Sequence, residues 1–128
     1  MKVLLDTNAL LWFVANDPRL TAAASQTLGD PGKQRVVSSV SLWEITIKLS
    51  LNKLQLALSL EDFINQHLWP TRVELLQIEK AHLLTLATLP HHHRDPFDRL
   101  LIAQALEENL PLVSSDQALD TYGIQRIW

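Results

Sequence analysis

The chain has no cysteine, so neither a disulfide framework nor a thiolate zinc site is open to it, and a reducing compartment suits it. No apolar run approaches the roughly 20 residues of a membrane span. The amino terminus lacks the basic region, apolar stretch and small-residue cleavage site of a signal peptide. A soluble, cytoplasmic protein with no membrane partner is therefore expected. Basic excess is missing as well. A formal net charge of -3 and a pI near 5.9 argue against coating nucleic acid by bulk electrostatics, and leave open a local basic rim or an acidic site that holds cations. There is no internal repeat, low-complexity tract or Gly/Ser linker, so one domain over residues 1–128 is expected. A chain of this length can bury roughly two thirds of its unfolded surface.

The start of the chain organises the rest. Val3-Leu4-Leu5 is apolar without alternation, which predicts a strand covered on both faces, as in the middle of a parallel sheet. It stops at Asp6. Asp6 and Thr7 are both good helix N-caps, and Ala9 to Ala15 reads as a largely buried helix. A strand that hands over to a helix through an acid places that acid at the strand's carboxyl end, the edge where open α/β sheets bind ligands.

Further along, Thr21 can cap a helix over 22–28 that ends at Gly29, after a turn at Asn16-Asp17-Pro18-Arg19-Leu20. Arg35-Val36-Val37-Ser38 predicts a second strand, and a helix follows from about Leu42 to Leu51. Lys53 to Leu58 is too irregular to assign. Ser59 starts a helix through Leu68 that Trp69-Pro70 closes, and Val73 to Leu76 predicts a third strand. Ile78 to Leu89 reads as a helix with Leu83, Leu84, Leu86 and Ala87 as its packing face. After a polar loop at 90–96, the helix from Phe97 is apolar nearly all round and is expected to be buried. Pro111 to Ser114 predicts a fourth strand, Ser115-Asp116 caps a short helix at 117–119, and Gly123 to Ile127 gives a fifth strand. Strands alternating with helices predict an α/β fold with a five-stranded parallel sheet flanked by helices.

Besides Asp6, which ends a strand, three acids sit at the start of helices: Glu44, Asp98 and Asp116. Each has a purely structural explanation. Ser41-Leu42-Trp43-Glu44 matches a capping box, and Glu44 with Lys48 is an i,i+4 pair. Asp98 suits the positive end of its helix, while Asp6 and Asp116 suit N-caps. Jointly, a parallel sheet brings all four to one edge. Two carboxylates about 4 Å apart repel by about 4 kcal/mol at an effective dielectric near 20, more than a cap offsets. Such a site needs protons or a cation. All-oxygen ligands suit Mg2+ or Mn2+, which activate water and hold phosphodiester oxygens during in-line displacement.

Val3-Leu4-Leu5-Asp6-Thr7-Asn8, Trp43-Glu44-Ile45, the run His93-Arg94-Asp95-Pro96-Phe97-Asp98-Arg99-Leu100-Leu101-Ile102-Ala103-Gln104-Ala105, and Ser114-Ser115-Asp116 together resemble the PIN-domain ribonucleases, specifically the small VapC-like toxins of bacterial toxin–antitoxin pairs. The resemblance covers essentially the whole chain, and Arg-Asp-Pro-Phe-Asp-Arg is its specific part. It implies a three-layer PIN-like fold, metal-dependent cleavage of single-stranded RNA, a homodimer, and an antitoxin that covers the site. It further implies that Asp6, Glu44, Asp98 and Asp116 form the metal site for Mg2+ or Mn2+, with Thr7, Asn8 and Ser115 as supporting polar residues. Many members carry Thr-Ala-Asp where this chain has Ser114-Ser115-Asp116, and the Ser114 hydroxyl keeps the first position's chemistry. Asp95 competes with Asp98 for the third acid, but it precedes Pro96 and so falls in extended geometry outside the helix.

Other residues have two readings. His91-His92-His93 is a metal cluster or, since consecutive loop residues cannot all face one ion, a solvated loop near the RNA path. Arg94 and Arg99 contact phosphate or form ion pairs. Trp12, Trp43, Trp69 and Trp128 stack bases or pack. Leu11, Trp12, Trp43 and Ile47 form an apolar excess that predicts a dimer or antitoxin interface. Two rivals stand beside the nuclease. A degenerate PIN scaffold would only bind a partner. A phosphoacceptor receiver domain would need an acceptor aspartate after the middle strand and a late lysine, and Asp62 and Lys80 do not fill those places.

Overall fold

A computed structural model describes residues 1–68 and 73–128. Trp69-Pro70, expected to close a helix, and Trp69 as a stacking candidate lie outside the described residues. Strands β1 (Lys2–Leu5), β2 (Gln34–Ser38), β3 (Val73–Leu76), β4 (Leu112–Val113) and β5 (Arg126–Ile127) form one all-parallel sheet in the order β3-β2-β1-β4-β5. Because alternate side chains of a strand point to opposite faces, the apolar runs serve two cores at once. Val3, Leu5, Val37 and Val113 face one core, while Leu4, Val36 and Leu112 face the other.

The first core is closed by helices α1 (Thr7–Val14) and α2 (Ala22–Gly29) and by the helix that starts as α4 (Leu60–Phe63) and continues as a π-helical turn over Ile64–Leu68. The second core is closed by α6 (Pro96–Glu107) and a 3₁₀ helix (Gln117–Tyr122), with α5 (Lys80–Thr88) packed on α6. α3 (Ser39–Ser50) contributes Val40 to the second core and Ile45 to the first. The result is three layers, as the alternating pattern predicts. Among the described residues no helix is long and apolar enough to cross a membrane.

The register sets the site. Leu5 pairs with Val37 on one side and with Val113 on the other, so Asp6 and Ser114 leave the sheet, and Ser38 ends β2, at one level of its carboxyl edge. Chain direction across the sheet reverses between β1 and β4, since β2 and β3 lie on one side of β1 and β4 and β5 on the other. Such a switch point opens a crevice at the carboxyl ends of the flanking strands.

Two local expectations change. The N-cap of α3 is Ser38, whose hydroxyl accepts from Val40 N at 3.1 Å, so Ser41 is inside the helix and Ser41 to Glu44 is no capping box. The helix starts earlier because Ser38 is the residue leaving the strand. On α5, Leu86 packs on the second core as expected, but Leu83 is 50% and Leu84 61% exposed and Ala87 is exposed, whereas His82 is fully buried, so three of the four expected residues are not on the packing face. His82 is satisfied there by polar partners: its Nδ1 accepts from Glu79 N at 3.0 Å, and its Nε2 lies 3.0 Å from Glu108 Oε1. A satisfied imidazole can therefore occupy the contact with α6 that hydrophobicity alone assigns to leucine.

Candidate functional site

Each acid reaches the crevice by its own local device. Asp6 ends β1 in extended backbone and caps α1, its Oδ1 accepting from Ala9 N at 2.7 Å. Asp95 caps α6 by accepting from Phe97 N at 2.8 Å and Asp98 N at 3.1 Å. With Pro96 opening α6, the first turn is fixed and Asp98 follows within it. Asp116 caps the 3₁₀ helix through Ala118 N at 3.0 Å, and Ser114 Oγ accepts from Asp116 N at 3.1 Å. Capping and site membership are thus compatible: one carboxylate oxygen holds the helix end, and the other remains for the crevice.

Glu44 arrives differently, from the second turn of α3. Its carboxylate is buried between Thr7, whose hydroxyl donates at 2.6 Å, and Lys48, whose ammonium donates at 2.6 Å. The i,i+4 pair is real and coexists with a place in the site. Thr7 Oγ1 also lies 3.2 Å from Ser41 Oγ, and since its single proton goes to the closer carboxylate, buried Ser41 donates to Thr7.

These groups line one cleft of about 140 Å3: Asp6, Thr7, Asn8, Glu44, Lys48, Asp95, Asp98, Ser115 and Asp116. Its charge is unbalanced, with five carboxylates against one lysine among the described lining residues. Burial pushes the Asp6 carboxyl above its ordinary value despite a hydrogen bond from Ser114, and Glu44 and Asp116 add to the rise. Asp98 is pushed from 3.8 to about 7, first by desolvation and then by the nearby Asp95 charge, with His93 opposing. Carboxylates held this way favour either protons or a cation. The donor set is oxygen from carboxylates, hydroxyls and an amide, which fits a hard divalent ion such as Mg2+ or Mn2+.

The sequence-expected residues fall unequally. All four acids and Thr7 line the cleft, and exposed Asn8 and Ser115 form its rim. Ser114, buried and bonded to both Asp6 and Asp116, does more of the holding than Ser115. Arg94 is exposed and precedes the cleft residue Asp95 in the chain. Arg99 is not: it is 8% exposed, and its guanidinium donates to Pro90 O at 2.9 Å and Leu89 O at 3.1 Å, so it holds the 90–95 loop instead of facing a phosphate.

The residue that sequence reasoning did not join to the four acids is His93, which it weighed only as part of a histidine cluster or a solvated loop. Its Nε2 lies 3.0 Å from Asp116 Oδ2 and 3.3 Å from Asp98 Oδ2. Of the three consecutive histidines, His91 and His92 are exposed and His93 turns inward, and its place at the head of the Arg-Asp-Pro-Phe-Asp run was the available signal. Among the described residues, His93, Asp98 and Asp116 are the group whose ligand atoms all lie within 4.8 Å of one another. Asp6 and Glu44 join them across the cleft through charge.

A doubly wound parallel sheet with an oxygen-rich acidic cleft at its switch point defines a class of α/β protein able to hold a divalent cation against a phosphate ester. The comparisons are specific within that class. A family model described as PIN domain matches residues 3–124, and the chain belongs to the PIN domain family. It is 30% identical over 121 residues to Ribonuclease VapC22 of Mycobacterium tuberculosis, covering 94% of this chain and 91% of that protein. Among solved structures, VapBC2 from Rickettsia felis bound to a promoter DNA fragment matches with a TM-score of 0.72 at 15% identity over 100% of both chains. VapBC-1 from nontypeable Haemophilus influenzae matches with a TM-score of 0.70 at 21% identity, over 98% of this chain and 96% of that one. The three-layer PIN-like fold is thereby shown, and the receiver-domain alternative falls.

Proposed function

We propose that this chain is a metal-dependent endoribonuclease cleaving single-stranded RNA, and the toxin of a toxin–antitoxin pair, acting in the cytoplasm as a single domain over residues 1–128. The observation that carries the reading is the convergence of Asp6, Glu44, Asp98 and Asp116 on one cleft at the sheet's switch point, in a member of a family that includes a VapC ribonuclease. Asp6, Glu44, Asp98 and Asp116 would hold Mg2+ or Mn2+, which when bound supplies activation of water and stabilisation of charge on the phosphodiester oxygens.

The chain's own groups have separable tasks. Thr7 and Lys48 fix the Glu44 carboxylate in a buried position by donating to its two oxygens. Asp6 and Asp116, each tied to a helix end by one oxygen, are rigid. Asn8 and Ser115 offer an amide and a hydroxyl at the rim to orient the sugar–phosphate backbone, and exposed Arg94 offers a cation to a flanking phosphate.

The partner reading rests on a second surface. A groove of about 440 Å3 is lined by Leu11, Trp12, Val14, Leu54, Leu56 and Phe63, and Asn8 belongs to both this groove and the acidic cleft. An amphipathic antitoxin segment in that groove would end at the cleft and cover it. Trp43, 54% exposed on α3, suits an interface between two copies. The solved neighbours, described as VapBC assemblies, are consistent with both.

The test is cleavage of pooled cellular RNA by purified protein with Mg2+, with EDTA, and with Asp98→Asn, mapping the fragment ends. Metal-dependent cutting that the variant loses is expected. No cutting under any condition, by folded and partner-free protein, would leave the domain as a binding scaffold, and cutting of single-stranded DNA alone would reassign the substrate.

A further inference from the structure

The function proposed above uses no imidazole, yet His93 projects into the cleft, and the polarity of its bonds says how. Its Nδ1 accepts a hydrogen bond from Asp95 N at 3.1 Å, so that nitrogen carries a lone pair and the ring proton sits on Nε2. Nε2 is the atom facing Asp116 Oδ2 at 3.0 Å and Asp98 Oδ2 at 3.3 Å. A histidine that ligates a metal ordinarily has the opposite polarity, with its remote nitrogen donating to a carbonyl or carboxylate so that the near one is bare. Here the remote nitrogen meets a backbone donor.

We propose that His93 is a proton-bearing placeholder in the acidic cleft, its Nε2–H bridging Asp98 and Asp116 and competing with a divalent cation for the same two carboxylate oxygens. This rests on the metal reading and specifies which side chain the ion must displace. Asp116 shows why the contest is direct. Its Oδ1 is held by Ala118 N at 3.0 Å, which leaves Oδ2 for the crevice, and His93 has it. A nitrogen that bears a proton toward both oxygens engages carboxylates that would hold the cation.

The ring is placed there by the fold. His93 N donates to Tyr122 Oη at 2.8 Å, Tyr122 donates to Pro90 O at 2.8 Å, and Arg99 clamps Pro90 O and Leu89 O. Ring and backbone are thus fixed at two separate points, Asp95 N and Tyr122 Oη. Displacing the ring breaks the contacts of His93 with Asp95, Asp98 and Asp116, so the free protein trades metal affinity for a cleft whose acids are already paired. His93 is a positioning residue in this scheme, and its removal should tighten ion binding.

The experiment is calorimetric titration of MnCl2 into purified, RNA-free wild type, His93→Ala and Tyr122→Phe, with MgCl2 followed by NMR of the imidazole nitrogens. His93→Ala is expected to bind Mn2+ about tenfold more tightly, the order of one lost hydrogen bond to a charged group. Tyr122→Phe, which frees the His93 backbone and keeps the ring, is expected to bind more tightly by a smaller factor. In the wild type, His93 should be the Nε2-protonated tautomer without Mg2+ and change its environment on addition. Equal or weaker binding by His93→Ala, or an Nε2 that loses its proton and coordinates, overturns the inference alone. Failure of every protein to bind either ion overturns the metal reading and the inference with it.

Discussion

Replacing Asp98 by asparagine should make the metal-free protein more stable at alkaline pH while abolishing activity. The Asp98 carboxyl rises from 3.8 to about 7 in the folded chain. At about 1.4 kcal/mol per pH unit, that rise is worth ~4 kcal/mol if fully expressed. The Asp98 side chain is 28% exposed, and solvent screening reduces the expected effect to about 2 kcal/mol. The folded value lies above the unfolded one, so the folded chain keeps its proton up to about pH 7 while the unfolded chain releases it near 3.8. Stability from this group is therefore fully present below 3.8 and is lost as pH rises through about 7. Asparagine does not titrate and still offers His93 an acceptor. The stability gap between Asp98→Asn and wild type should be small at pH 4, grow between 4 and 7, and level off at about 2 kcal/mol, or a melting-temperature gain of roughly 6 °C for a chain of this size. Thermal melts in EDTA across that range measure it. In saturating Mg2+ the gap should close or reverse, because the ion stabilises only the protein that binds it. A gap independent of pH in EDTA, or a variant less stable than wild type at pH 8, would refute the account of Asp98 as a charge held against desolvation and neighbouring acids.

The remaining predictions probe the supports. Lys48→Met should cost about 1 to 3 kcal/mol in urea unfolding, because buried Glu44 loses the ammonium that donates to its Oε2 at 2.6 Å; an unchanged midpoint would mean that Thr7 suffices. Thr7→Val, similar in shape but without the hydroxyl donor to Glu44, should destabilise by about 1.5 to 3 kcal/mol and depress cleavage. On α5, His82→Leu should cost about 1 to 3 kcal/mol by stranding Glu79 N, whereas Leu84→Glu should stay within about 0.5 kcal/mol, and the reverse order would restore the leucines as the packing face.

Much of the fold was legible because its strands are buried on both faces. Non-alternating runs such as Val3-Leu4-Leu5 and Val36-Val37 can be satisfied only between two helical layers, and the structure supplies one core for each face. The first turns of α1, α2 and α4 were legible for a different reason: Asp6, Thr21 and Ser59 are short polar side chains that reach the amides of Ala9, Ala24 and Asp62. What failed was orientation around a helix axis. α5 carries leucines on several faces, so its periodicity is weak, and its burial is decided by His82 pairing with Glu108, a contact between residues 26 apart in sequence. Arg99 failed likewise, since its partners are carbonyls of the preceding loop and carbonyls leave no trace in residue type.

The four acids show a subtler limit. Capping and chemistry were weighed as alternatives for each carboxylate, but a carboxylate has two oxygens and the fold uses both. Asp116 gives Oδ1 to Ala118 N and Oδ2 to the cleft, and Glu44 gives Oε1 to Thr7 and Oε2 to Lys48 while still lining it. The structural bond is what makes the functional one affordable, because an acid immobilised by a backbone amide or a neighbouring ammonium has already lost the rotamer freedom that ligand binding would otherwise cost. For a site of this kind, a good cap at the carboxyl end of a parallel strand therefore counts toward a functional assignment. It counts most where, as at Asp6 beside Ser114 and Asp116, a second acid leaves the sheet across the switch point.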